Sequence, residues 1–324
     1  MQIRNNLRLT AAAALTVLSA ASLPLESLAA SCCGGGSASS LLLPKGGKMM
    51  LDLSLDIENY DGFWTSDGSY NLDPPGSNLS QQRVNAGFAY RLNPNLQASL
   101  VLPYIWNNNE YAGFTSNTNG LGDAVASIWY EAFDGITCVY KVNSIKDLKP
   151  SIYYGASLTL PSGISPFDDV TNSFDITGRG FYRLDANLLL DKTIFPWNMT
   201  FHYTYGVYHK RPVNMEYGNY VEPYDKQPGN RSQVMLSFGY SDQVSSGGTV
   251  TYTLAHTDLK EDTGEINGQT DSLSGFEKTS SAFTVAYSTF NKDWIYKATF
   301  SKAQEGKNFP ATNILTLGVS HVFF

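Results

Sequence analysis

The chain has 324 residues and a net charge of −7 at pH 7, and only 16% of its residues are charged, against roughly 25% in an average soluble domain. Because a net negative chain does not attract polyanions, this charge excludes nucleic acid as a natural partner. Aromatic residues make up 13% of the chain, and 20 of them are tyrosines.

Residues 1–30 have the organisation of a secretory signal peptide. Arg4 and Arg8 give a basic start, an apolar run follows from Leu9 to about Ala21, and small residues close the segment before residue 31. The alternative is a retained membrane anchor, but the apolar run is shorter than the ~20 residues that a spanning helix needs. The segment therefore predicts export through the Sec pathway.

Residues 31–46 form a leader rich in Cys, Gly and Ser, which we expect in the periplasm. Cys32 is a candidate for lipidation, because the residues before it weakly resemble a lipobox. With lipid on Cys32, Cys33 would be left to form a disulfide with Cys138 in the oxidising periplasm. The alternative is a flexible leader with reduced thiols or an adjacent-cysteine disulfide. The sequence leaves open whether a periplasmic partner docks there.

Apolar and polar residues alternate from the start of the next segment. Between Met49 and Glu58, one face carries residues such as Leu51 and Leu53, and the other carries Asp52 and Asp56. This period of two predicts a strand that is apolar on one face and charged on the other. The pattern recurs along the chain and predicts twelve strands, at about 48–58, 80–92, 96–106, 122–133, 148–160, 180–192, 197–208, 232–241, 247–256, 278–288, 294–303 and 312–324.

The predicted strands have the length and the connections of a membrane barrel. Most exceed the ~5–6 residues of soluble sheets and match the ~9–11 of a tilted membrane strand. Long polar loops follow the odd strands and tight turns follow the even ones, except at 134–147. Residues 47–324 are therefore predicted to form an all-β, transmembrane, antiparallel up-and-down β-barrel of about 12 strands. The alternative, a soluble sandwich or lipocalin-like barrel, should have shorter strands and a polar outer face.

In a bilayer the charged face of each strand points into the lumen. The lumen candidates are Asp52, Asp56, Glu58, Arg83, Arg91, Asp123, Glu131, Arg183, Asp185, Asp191, His202 and Lys297. Twelve strands lie between the filled eight-stranded barrels and the open porins, so we expect a narrow or blocked channel. We expect a constriction to include Arg83, Asp123, Arg183 and Asp185.

Three glycine-containing motifs stand where loops meet strands. They are Gly120-Leu121-Gly122-Asp123, Leu158-Thr159-Leu160-Pro161-Ser162-Gly163 and Thr177-Gly178-Arg179-Gly180. With these motifs, the chain from about residue 80 onward resembles the outer-membrane transporters linked to meta-pathway phenol degradation, a family distantly similar to the fatty-acid and aromatic-hydrocarbon channels. The resemblance implies a barrel that admits small, often apolar or aromatic molecules.

The same glycines also have a purely structural interpretation. Gly120, Gly122, Gly178 and Gly180 lie where loops re-enter strands, and such positions need unusual backbone angles or a bend. Asp123 either caps that bend or points into the pore. The sequence does not separate these two roles.

The pattern favours an outer-membrane channel for small, hydrophobic or aromatic solutes that needs no cofactor and no metal. The alternatives are a surface-exposed structural or adhesive barrel and, with less support, an outer-membrane hydrolase. An enzyme is not expected, because the serine and histidine pattern of the known twelve-stranded phospholipase is absent and no metal-type spacing occurs. The histidines are scattered, at His202, His209, His256 and His321.

The chain ends in the predicted twelfth strand, LTLGVSHVFF. The terminal Phe324 resembles the signal read by the barrel assembly machinery, which we expect as a partner. Outer-membrane lipid and lipopolysaccharide are the other expected partners, the latter facing the acidic outer loops. Phe323 rather than Phe324 shares a face with Leu315 and Leu317. A bulge near His321 would bring Phe324 into the outward apolar row, and without a bulge either Phe323 or Phe324 turns inward.

Overall fold

The computed structural model describes residues 41–111, 113–132, 138–171, 173 and 175–324, with only the backbone of residues 114 and 138. In this described part the secondary structure is β apart from a 3₁₀ turn at Ile145–Leu148. Among these residues, no helix has the length and apolar character needed to cross a membrane. The predicted all-β class is confirmed.

Twelve long strands form a closed antiparallel barrel, in which each strand pairs with the next and the last pairs with the first. The strands are β1 Met49–Trp64, β2 Asn78–Asn93, β3 Leu96–Tyr111, β4 Ala124–Glu131, β5 Ser151–Leu160, β6 Arg183–Ile194, β7 Trp197–Tyr208, β8 Arg231–Gln243, β9 Thr249–Glu261, β10 Phe276–Ser288, β11 Trp294–Lys307 and β12 Phe309–Phe323. The predicted twelve-stranded barrel is confirmed.

The outer surface of the barrel is apolar. Outward residues such as Leu184 and Leu254 are 60% and 63% exposed. A continuous belt of this kind would be costly in water, at about 25 cal/mol per Å² of apolar surface, but it matches lipid. The closed ring also pairs the strand backbones, as hydrocarbon requires. The soluble alternative is therefore wrong, because its outward face should have been polar.

We call the end of the barrel opposite residues 41–48 and Phe324 the outer end. At this end, several strands are longer than the sequence predicted. β1 continues to Trp64 and β9 to Glu261. Beyond the lipid both faces of a strand meet water, so the apolar alternation ends although the hydrogen-bonded ladder continues. Two expected polar loops, 209–231 and 257–277, also contain strands, which form a small sheet of Arg211–Glu216, Asn219–Gln227, Gly264–Ile266 and Gln269–Asp271.

The C-terminal strand does not contain a bulge near His321. Its register with β1 runs unbroken from Met49 opposite Phe323 to Tyr60 opposite Thr312. Phe323 therefore stays in the outward apolar row, and Val322, 2% exposed, points inward. The bulge was unnecessary because the strand ends at Phe323, which leaves Phe324 beyond the ladder.

Candidate functional site

The inner wall of the barrel is polar, but its two halves differ in how far they are covered. On β1–β7, the covered wall, many inward side chains are inaccessible. Examples, each 2–3% exposed, are Asn85, Gln97, Asn107 and Asp191. On β8–β11, the open wall, inward side chains near the middle of the strands are only partly buried. Examples are Met235, Thr257, Ala282 and Ser301. The free space in the lumen therefore lies along the open wall.

Residues 41–48, the plug segment, pack inside the lumen at the end of the barrel where the described chain begins and ends. Leu43 is 4% exposed, and its N–H donates a hydrogen bond of 2.6 Å to Oε1 of Gln97. Leu41 and Leu43 pack with Met50, Ala89, Val322 and Ile295. Leu42 packs against Trp129, Tyr153 and Leu189. Apolar residues before the first strand thus cover one end of the covered wall.

Two predicted lumen residues hold the plug segment. Arg91 donates from Nε to the carbonyl of Gly47 at 2.8 Å and from Nη2 to the carbonyl of Pro44 at 3.1 Å. Glu131 is buried and forms an ion pair of 2.8 Å with Lys45. Arg91 and Glu131 therefore face the lumen, as predicted from the alternation, but they contact the chain's own N-terminal segment.

The described residues of the segment 161–182, which we call the inner loop, cover the outer end of the same wall. The inward-facing amide of Asn107 donates to the carbonyl of Ile176 at 2.9 Å. Asp175 of the loop accepts a hydrogen bond of 2.5 Å from Oγ1 of Thr118, on the strand Phe114–Leu121 that pairs with the outer half of β3. The loop thus bonds to inward groups of β3 and of this neighbouring strand.

Asp123 caps the backbone of the inner loop. One carboxylate oxygen accepts the N–H of Gly163 at 3.1 Å, and the other accepts the N–H of Arg179 at 2.7 Å. These bonds tie together the three motifs singled out in the sequence, and the loop begins at Pro161. Of the two roles left open for Asp123, the structure shows the capping one.

The glycines of these motifs allow close packing more than unusual backbone angles. A Cβ on Gly163 would lie 2.8 Å from Cα of Gly178, and one on Gly178 would collide with the Asp123 carboxylate. Gly120 and Gly122 pack in the same way against Ile164 and Ile105. Unusual backbone angles were expected at Gly120, Gly122, Gly178 and Gly180, and of these four Gly180 has a positive φ, at +78°. The expectation of unusual angles is thus met at Gly180, whereas the others lack a Cβ because their neighbours approach closely.

A salt bridge links the inner loop to the open wall. Arg179 donates from Nη1 and Nη2 to Glu261 of β9, at 2.5 and 2.7 Å, and the hydroxyl of Tyr208 donates to Glu261 at 2.9 Å. Burial alone would lower the pKa of Arg179, but its hydrogen bonds to Glu261 raise it above the ordinary value. We call this trio, Arg179, Tyr208 and Glu261, the latch.

The residues of the predicted constriction lie in separate groups. Arg83 pairs with Glu58 at 3.2 Å and approaches Asp56 at 3.6 Å, both on β1. Arg183 pairs at 2.7 Å with Asp185 on its own strand. Asp123 binds the inner loop instead. No ion pair within the described residues joins these groups, so a role in a constriction stays a prediction.

The remaining lumen candidates are also inward and partnered. Lys297 forms an ion pair of 3.2 Å with Asp52, which links β11 to β1. Asp191 accepts a hydrogen bond of 2.9 Å from the hydroxyl of Thr200. His202 is 6% exposed, and its ring centroid lies 5.8 Å from that of Trp129. The contacts of Asp191 and His202 lie within the covered wall, and the Lys297–Asp52 pair joins the open wall to it.

Three lumen residues were missed by the sequence analysis. Trp129 is fully buried and packs in the lumen, and its alternation with Glu131 could have identified it. Arg231 was assigned to a loop, and Lys278 stood at the first residue of a predicted strand, where the facing of a side chain is poorly defined. Both face the lumen from the open wall.

A pocket of about 440 Å³ opens at the outer end, between the inner loop and the small outer sheet. Its apolar lining includes Phe167, Phe181, Ile266, Leu273 and Phe276. The latch residues Arg179 and Glu261 also line it. The volume lies within the ~300–1,000 Å³ of small-molecule sites. The pocket can therefore accept a small ligand with an apolar body.

Several predictions fall outside the described residues. These are the signal peptide at 1–30, most of the leader, and Cys32 and Cys33. Of Cys138 only the backbone is described, in a short strand parallel to the end of β6. Lipidation and the disulfide stay predictions. The described residues hold no group of three or more His, Cys, Asp or Glu side chains that could bind a metal.

Solved structures share the barrel fold, although no protein-family model and no curated protein matches the sequence. An outer-membrane channel from Pseudomonas putida matches with a TM-score of 0.66 and 16% identity, over 89% of this chain and 99% of that one. The β domain of the Bordetella autotransporter BrkA matches with a TM-score of 0.50 and 11% identity, over 86% and 99%. The Pseudomonas putida toluene transporter TodX aligns with a TM-score of 0.39 and 8% identity, over 85% and 89%.

At these identities the similarity shows the fold alone, which is that of an outer-membrane β-barrel. The predicted distant similarity to outer-membrane channels is confirmed at this level. The link to phenol degradation stays a prediction.

Proposed function

We propose that the protein is an outer-membrane channel that passes small solutes along the open wall of the barrel. The observation that carries this proposal is the difference between the two walls. Near the middle of β8–β11 inward side chains remain partly accessible, while many of those on β1–β7 are buried and the plug segment and the inner loop cover the two ends of that wall. A barrel whose only role is to anchor a surface domain has no need of an accessible inner wall.

The proposed path begins at the outer pocket, passes the latch and follows the open wall. The wall is uncharged and smooth near its middle, where its inward residues include Thr257, Ala282, Thr284 and Ser301. Small hydroxyl and methyl groups bind solutes weakly, which allows them to leave. The plug segment then forms the barrier at the periplasmic end.

The outer pocket supports small solutes with a hydrophobic or aromatic body. Phe167 and Phe181 pack edge to face at 5.3 Å, and Arg179 lies 5.6 Å above the ring of Phe276. Such a lining favours planar apolar groups.

A tryptophan placed on the open wall tests this function. Ala282 and its cross-strand partner Ala255 face the lumen. Leu254, which precedes Ala255 in the chain, faces lipid and is 63% exposed. In planar bilayers we expect Ala282→Trp to lower the single-channel conductance several-fold, because the ring fills free space. Leu254→Trp should leave the conductance unchanged. Equal conductance of both variants, or none in the unmodified protein, contradicts the proposal.

Two further experiments test the alternative functions, an adhesive barrel and a hydrolase. Deleting the outer segment 211–227 should spare solute uptake in a channel, whereas loss of surface binding with normal uptake would indicate an adhesive barrel. Lipase and protease activity of the purified protein would indicate a hydrolase. Residence in the outer membrane and export through the Sec pathway belong to this proposal, as do lipopolysaccharide, the assembly machinery reading Phe324 and a periplasmic partner of the leader.

A further inference from the structure

Two cations of the open wall stand apart from the ion pairs of the lumen. Arg231 begins β8 and Lys278 lies near the start of β10, and both side chains are enclosed by the barrel yet remain partly accessible. Enclosure with access means that both face the free space of the lumen. A passing solute would therefore meet them.

The contacts of these two residues are weak for charged groups. Arg231 lies 3.5 Å from Oε1 of Gln233 and near the hydroxyl of Tyr208. Lys278 donates to Oγ1 of Thr312 at 3.2 Å, and its ammonium stands 4.8 Å above the ring of Phe309. Within the described part of the chain, neither residue forms an ion pair.

Most other inward cations of the lumen have a carboxylate partner, and Arg91 instead donates to the carbonyls of Gly47 and Pro44. Arg83, Arg179, Arg183 and Lys297 each have a carboxylate oxygen within 2.5–3.2 Å. Glu58 attracts Lys278, but Glu58 already pairs with Arg83. The positive charge of Arg231 also repels the nearby positive charges of Arg179, Arg183 and Lys278. An anion between Arg231 and Lys278 would relieve this repulsion.

Aromatic rings lie beside Lys278, at the same end of the barrel as Arg231. Phe276 and Phe309 are 5.1 Å apart, and Lys278 stacks on Phe309. Phe276 also lines the outer pocket. The region therefore combines flat apolar surface with positive charge, which together match an aromatic ring that carries a carboxylate.

We propose that Arg231 and Lys278 form a binding site for small aromatic carboxylates on the open wall. This inference rests on the proposed channel function and narrows its solutes to organic anions. The carboxylate accepts charge-assisted hydrogen bonds from the guanidinium and the ammonium, and the ring lies against Phe276 and Phe309. A neutral amide of the same shape lacks the charge and binds less tightly.

Equilibrium dialysis tests the site without requiring conduction. Labelled benzoate and its neutral isostere benzamide are dialysed against the folded full chain in zwitterionic detergent at low salt, with empty micelles as background. We expect benzoate to bind about tenfold more tightly than benzamide. R231Q combined with K278Q should remove that difference, and R231K should keep it.

Lys302→Gln is the matched control, because it removes one positive charge from an exposed outward position on β11. It should leave benzoate binding unchanged, and gel mobility of unheated samples confirms that each variant is folded. Equal binding of benzoate and benzamide, or benzoate binding that survives the double substitution, overturns the inference.

Reversal potentials in a salt gradient separate this inference from the channel function. We expect preference for chloride over potassium that the double substitution abolishes. A barrel that binds benzoate through these residues but does not conduct refutes the channel and leaves the site standing. A barrel that conducts but shows no preference for benzoate refutes the site and leaves the channel standing.

Discussion

The covered wall and the open wall are built from similar residues but differ in how far their inward side chains are buried. Both carry serine, threonine and other small polar side chains toward the lumen, as on β5 with Ser157 and on β11 with Ser301. Ser157 is 4% exposed and hydrogen-bonded to Ser127 and Asn187, whereas Ser301 stays accessible. The difference teaches that residue type alone does not determine the accessibility of an inner wall, which depends on the contacts that each side chain makes.

The largest effect is expected at the latch, which joins the inner loop to the open wall. Arg179→Gln leaves the buried carboxylate of Glu261 without its cation. Since the side chain of Arg179 is 43% exposed, we expect a loss of about 3 kcal/mol in the free energy of unfolding, the lower end for a broken buried pair. Urea titration in vesicles measures it, and the conductance should rise as the loop loosens.

The control for the latch is Lys210→Gln, which breaks the exposed ion pair between Lys210 and Asp225. Exposed pairs contribute only about 0–1 kcal/mol, so this variant should unfold almost as the unmodified protein does. If both variants lose the same stability, the latch does not restrain the inner loop.

The next largest effect is expected in the plug segment. Leu43→Ala removes a buried side chain from the cluster with Met50, Ala89 and Val322, and we expect a loss of about 2–3 kcal/mol in packing free energy, the lower end for a truncated buried leucine. Because the segment precedes β1, the loss should release the plug and raise the conductance without unfolding the barrel. Leu51→Ala, on the outward face of β1, should change neither quantity. Unchanged conductance of Leu43→Ala contradicts the plug.

A bulky side chain should destabilise the protein when it is placed on the covered wall but not when it is placed on the open wall. Ser157→Leu overpacks the covered wall and breaks the hydrogen bonds to Ser127 and Asn187, which we expect to cost about 1–3 kcal/mol. Ser301→Leu enters free space and should stay within about 0.5 kcal/mol of the unmodified protein. The temperature at which folded gel mobility is lost compares them. Equal shifts would mean that the walls are equally packed.

The smallest effect is expected at the ion pair of the plug. Lys45→Gln removes the cation beside the buried carboxylate of Glu131, but undocking of the plug segment lets water reach that carboxylate, so docking should weaken by only about 1 kcal/mol. The plug should then open more often, by up to about fivefold. Open probability in single-channel records measures this change. Lys48→Gln, at an exposed position of the same segment, should not alter it, and a similar change in both variants would assign the effect to net charge.

The inward orientation of many site residues could be predicted from the alternation of apolar and polar residues. Asp52, Asp56, Arg83, Asp185, His202 and Lys297 point inward, as a period of two requires once one face is apolar. The partners could not be predicted, because Lys45 and Glu131, or Arg179 and Glu261, lie far apart in the chain. Arg231 and Lys278 were missed because both stand at strand ends, where the pattern fades.

The sequence by itself determined the closed twelve-stranded barrel and its lipid-facing surface, because local alternation fixes which face of each strand is apolar and a bilayer forces all strands to pair. Only the tertiary structure decided that the lumen is covered on one side and open on the other. The plug segment and the inner loop have no periodic pattern. Their positions follow from long-range hydrogen bonds, ion pairs and close glycine contacts, and these exist only after the barrel has formed.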